Sequence, residues 1–298
     1  MVPRRLSFGW LWFLTFAVVL VVPPYASAQI CGHDRVEEIS PGVIYKVVSP
    51  SWSLDIEING SNLYVFKLAA GPTGTPRVVV FGLGNGDGSG PGSDDFFAYT
   101  GRRPMTEASL DLAGVLAVID NPSCFGLDSG AKPSVDTRLI AQHAHLDHAN
   151  QEMVEAVKAS ALRFQAAHYH VRDHQLLTCE GSYEGQELED TLNCGFQFDG
   201  PEDQNPFRGH PYRLTIQSAD WQPLGSANDP ECQTLLSFNL ADGRQVRIEA
   251  DRGHTPGGLV LVVDPQAGHG GLAFLSTTRG ASHCRYPGYW ELEPHNFS

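Results

Sequence analysis

Basic residues are scarce in this chain: 20 lysines and arginines stand against 34 aspartates and glutamates, for a net charge of −14. So acidic a surface repels phosphate backbones and anionic lipid heads, and no nucleic-acid partner is expected. No C-x-x-C is present, so a thiolate zinc finger has no basis. No G-x-S-x-G occurs, and an α/β-hydrolase nucleophile would lack its elbow. There is no internal repeat. Beyond residue 28, no apolar run approaches the roughly 20 residues that span a bilayer. The glycine-rich stretch over 82–95, "GLGNGDGSGPGSDD", contains G-x-G but no Lys-Ser/Thr pair, and it reads as a plain loop rather than a phosphate cradle.

What is present describes a globular protein. The 298 residues are 42% hydrophobic and 18% charged, enough for one large domain or two small ones with a sizeable core. The first 28 residues stand apart. Arg4 and Arg5 precede an apolar run over 8–22, then Pro23, Pro24 and Ala26-Ser27-Ala28, which is the pattern of a secretory signal peptide cleaved after Ala28. The mature chain would carry 18 basic and 34 acidic residues, a net −16, and would be secreted or periplasmic, with no membrane attachment. All six cysteines follow residue 28; an even number in an exported chain predicts disulfides. Cys179 and Cys194 are the most plausible local pair. Asn59-Gly60-Ser61 and Asn296-Phe297-Ser298 match glycosylation sequons.

Residues rich in Val, Ile, Tyr and Phe predict strands over 43–48 and 62–68, a short one over 77–81, another over 114–120, and an extended segment over 138–142 that runs into the histidines. Met153, Val154, Val157 and Ala161 recur at helical spacing. A strand follows over 162–171. The stretch over 175–232 is rich in Gly, Pro, Asp and Glu and reads as an insertion. Two hairpins close the chain: 235–240 with 244–250 around Asp242-Gly243, and 259–263 with 272–276. Strands on both sides of a central helix imply a mixed α/β fold.

The densest chemistry is "QHAHLDH", residues 142–148. Along an extended segment side chains alternate faces, so His143 and His145 point the same way and can share one ion at roughly 2.0–2.1 Å. Asp147 and His148 follow where the helix begins, a favourable place for a carboxylate. One such histidine alone would be an ordinary core or surface residue; three with an aspartate in H-x-H-x-D-H point to a metal. A catalytic zinc takes three protein ligands and keeps one position open. His254, framed by glycine and proline in "GHTPGG", is the candidate to complete the set. A second cluster, "HYHVRDH" over 168–174, has similar spacing, but Arg172 inside it disfavours another cation.

"HAHLDH" followed about a hundred residues later by "GHTPGG" resembles the metallo-β-lactamase superfamily. The resemblance rests on these two motifs and on a compatible strand–loop–helix order over 36–280. It implies a four-layer αββα sandwich with metal at one edge. It also implies that His143, His145 and His254 hold a first zinc, and that Asp147 and His148 hold a second. Asp147 would in addition serve catalysis, orienting a metal-bound water or passing on its proton. The implied activity is hydrolysis of a small-molecule ester-like, lactone, thioester or β-lactam bond.

Three departures qualify that pattern. Where the family has a bridging aspartate in S-G-D, this chain has Leu275-Ser276-Thr277-Thr278. The family's last histidine has only His283 and His295 as counterparts here, with Cys284 as a thiolate option and a disulfide as its simpler role. Gln142 stands where the family has threonine. One tight zinc is therefore expected, with the second site doubtful. The alternative is a degenerate metal- or ligand-binding protein without turnover.

Overall fold

In a computed structural model the described residues are 36–47, 62–84, 108–120, 135–144, 148–149, 151–160, 162–174, 219–252, 255–266, 268, 270–276 and 284–292. They form a mixed α/β architecture around two sheets. The first sheet contains β1 (Val36–Ser40), β2 (Ile44–Val47), β3 (Leu63–Leu68), β4 (Arg77–Phe81), β5 (Asp136–Ile140), β6 (Arg163–His170) and β7 (Trp221–Leu224), side by side in chain order. Its β1 to β4 pair antiparallel, and β4 to β7 are parallel. The second sheet contains β8 (Thr234–Asn239), β9 (Gln245–Ala250), β10 (Leu259–Val263), β11 (Gly271–Phe274) and β12 (Tyr289–Leu292), in the order β12-β11-β10-β9-β8.

The inner strands β3, β4 and β10 read as near-continuous apolar runs because both of their faces are buried. On β3 and β4, Leu63, Val65, Val78 and Val80 face a core shared with two helices. These are α1 (Ala108–Asp120) and α2 (Gln151–Ala159). The alternate residues Tyr64, Phe66, Val79 and Phe81 face the second sheet, meeting Ile248, Leu259, Leu261 and Phe274. Phe274 packs edge-on to Tyr64 and Phe66 at 4.6 and 4.9 Å between ring centroids, the geometry aromatic pairs favour. The outer face of the second sheet is covered by Cys284 and Tyr286; no helix lies there among the described residues.

The strand expected over 114–120 is instead the second half of α1. Gly114, Val115, Val118 and Ile119 are buried while Leu116 and Ala117 are half-buried, a helical stripe and not an alternation. Val, Leu and Ile in a short run cannot distinguish the two. Gly114 removed a further helical cue, yet a Cβ there would come within 2.4 Å of a methyl of Val47, so the glycine lets α1 lie close on β2. The strands β1, β7 and β12 were not anticipated. β7 falls within the stretch read as an insertion; 175–218 and the leader over 1–28 lie outside the described residues.

Candidate metal centre

The centre is built where the chain leaves β5, in the middle of the parallel strands. Carboxyl ends of parallel strands are where open α/β sheets bind ligands. Backbone bonds fix this exit on three sides. Gly82 N–H donates to Ile140 O, Ala141 N–H to His168 O, and Leu259 N–H to Gln142 O at 2.9, 2.9 and 2.7 Å. Gly82 adopts φ +82°, and a Cβ there would meet Asn62 O at 3.0 Å, so only glycine suits that position.

His143 and His148 are both buried. Their ring centroids lie 3.9 Å apart with the planes tilted by 44°. The contact sets both imidazoles side by side in one buried site at the exit of β5. His145, Asp147 and His254 lie outside the described residues, and among the described residues no three His, Cys, Asp or Glu side chains gather as a metal would require.

The chain segments flanking His145 and His254 do meet, on Asp173. This carboxylate is buried at the end of a 3-10 turn, Val171–Asp173, that follows β6 directly. Its Oδ2 accepts from Ala144 N–H at 3.0 Å and from Thr255 Oγ1–H at 2.8 Å, and its Oδ1 accepts from Gly257 N–H at 2.7 Å. Ala144 lies between His143 and His145; Thr255 follows His254. A Cβ on Gly257 would sit 2.6 Å from the Asp173 carboxyl carbon, and one on Gly258 would sit 2.5 Å from Asp251 O. The paired glycines of "TPGG" are thus demanded by close approach. Sequence reading passed over Asp173, treating it as part of the second histidine cluster; its one signal was a carboxylate at a strand end beside that motif.

The second cluster plays a structural part. The His170 Nδ1 accepts from Arg172 N–H at 3.2 Å, and its Nε2 lies 3.9 Å from Asp229 Oδ2. Arg172 turns outward and donates to the backbone oxygens of Ala227 and Asp229. His174 Nδ1 pairs with Tyr169 Oη at 2.8 Å. Burial pushes His168 down to about 4, helped by the Arg138 guanidinium. His170 falls to about 4 as well, from burial and then Arg172, partly opposed by Asp229. Both rings are neutral at physiological pH.

Near the expected bridging position, Ser276 is buried, with its Oγ 3.0 Å from where a Gly258 Cβ would lie; Thr277, Thr278, His283 and His295 lie outside the described residues. Cys284 is bonded to Cys232, which removes it as a thiolate ligand. The anticipated Cys179–Cys194 pair lies outside the described residues.

No family model and no curated protein matches this sequence. Solved structures do. BJP-1, a subclass B3 metallo-β-lactamase of Bradyrhizobium japonicum, is similar at 15% identity and a TM-score of 0.39, covering 88% of this chain and 77% of that one. MEM-A1, a subclass B3 metallo-β-lactamase from a soil metagenome library, is similar at 13% identity and a TM-score of 0.38, covering 78% of this chain. A B3 metallo-β-lactamase with an active-site glutamic acid is similar at 14% and 0.41, covering 85%. This chain spans 59% and 66% of those last two chains, under two thirds of each.

Proposed function

We propose that this protein is an exported, zinc-dependent hydrolase of small molecules, built on a four-layer αββα sandwich. The observation that carries this reading is the shared carboxylate: buried Asp173 accepts from the backbone N–H of Ala144, between His143 and His145, and from the Thr255 hydroxyl and Gly257 N–H of the loop that follows His254. His143, His145 and His254 would hold the ion. When bound, zinc supplies Lewis acidity and lowers the pKa of water to about 7. Asp147 would orient the attacking water and carry its proton to the leaving group. His148, beside His143, would belong with Asp147 to a second, weaker site. The scissile bond is ester-like, lactone, thioester or β-lactam. Export is supported by the Cys232–Cys284 disulfide, a bond that persists in oxidising compartments. No helix among the described residues is long and apolar enough to cross a membrane.

The test combines metal analysis with turnover. After dialysis the full chain should retain one tightly bound zinc, and two tightly held ions would contradict the single-site reading. A chromogenic cephalosporin, a lactone panel and an aryl ester are then assayed with and without chelator. Chelator-sensitive turnover that disappears in His143→Ala is expected. Zinc binding with no turnover on any substrate would favour the alternative, a degenerate binding protein on the same scaffold.

A further inference from the structure

We infer that Asp173 is a positioning residue that sets the distance between the two metal-binding loops and thereby the zinc affinity of the site. The inference rests on the metal reading above. Three donors separated from Asp173 by 29, 82 and 84 residues converge on one carboxylate. They serve both of its oxygens. The base of this clamp is firm, because Asp173 follows β6, which is paired on both sides. Ala144 and Thr255 are chain neighbours of candidate ligands and Gly257 lies three residues from one, so a shift in either loop is passed to an imidazole. Zinc–nitrogen bonds occupy a narrow range near 2.0–2.1 Å, and a slip of a few tenths of an ångström matters. Gly257 matches this role, since any side chain would strike the carboxyl group. A carboxylate needed only for folding would affect the stability of the metal-free chain and leave its zinc affinity alone.

The experiment uses the full chain stripped of metal, with its fold checked by circular dichroism. Zinc dissociation constants are measured by competition with a chromophoric chelator, and the cobalt(II) form is followed by visible absorption. Asp173→Asn keeps the shape but turns an amide NH2 toward one of the donors. Gly257→Ala pushes on the carboxylate from the other side. Each should weaken zinc binding about 10- to 100-fold, the usual effect of losing an outer partner of a metal ligand, and should alter the cobalt bands. Thr255→Val, which deletes one donor, should act in the same direction. Folded Gly257→Ala and Thr255→Val with dissociation constants within about threefold of the parent would overturn the clamp, whether or not Asp173→Asn folds. A parent chain that binds no zinc would sink the metal reading itself, and the clamp with it.

Discussion

Buried histidines make the sharpest residue-scale statement. His168 and His170 have folded values near 4, below the roughly 6.5 of an unfolded chain. Between those values the unfolded chain binds protons that the folded chain refuses, so stability falls as pH drops from about 6.5 toward 4. At pH 5 each ring should cost about 2 kcal/mol relative to pH 7.5. Urea melts of the metal-free protein at both pH values check this. In His168→Gln the loss should shrink by about that amount; an unchanged loss would contradict the assignment. At this scale dense spacing singled out His143, His145, Asp147 and His148 as metal candidates, and the Gly/Pro frame of "GHTPGG" added His254. It did not reveal Asp173, because a clamp is defined by partners 29 and 82 residues away, and no local pattern encodes them.

At the scale of elements, most strands were legible because short runs rich in β-branched and aromatic residues bounded by turn-forming Gly, Pro or Asp leave little choice. β4 and the Asp242-Gly243 hairpin, with Gly243 at φ +90°, are of this kind. α1 was misread for the opposite reason: its apolar residues suit either structure, and the sheet beneath it selected the helix. The helix places Val115, Val118 and Ile119 in the core under β2 and β3. Ile119→Ala should therefore destabilise the protein by about 2–5 kcal/mol, seen as a lower urea midpoint. A change below about 0.5 kcal/mol, the range of surface positions, would argue against this packing.

Across the whole molecule, Cys232–Cys284 encloses a separation of 52 residues. That loop contains β8 through β11, together with His254 and Ser276. Closing a loop of this size restricts the unfolded chain by about 4 kcal/mol in the chain-entropy picture. Cys284→Ala should lose stability of that order in urea without reductant, and reductant should bring the parent down to the same value. Equal midpoints for parent and variant under oxidising conditions would show that the bond does not form. The disulfide also decides what Cys284 is for, since spacing had left it open between a thiolate ligand and a bridge.

By itself the sequence determined that the chain is acidic and mixed α/β and that histidines and a carboxylate crowd into 142–148, because charge, periodicity and residue density are local properties. Only the tertiary structure decided that the exit of β5 and the loop before β10 meet on one buried carboxylate, that His168 and His170 stay neutral, and that α1 is a helix. Each of these depends on which distant surfaces exclude water together, and that is settled when the sheets and helices pack.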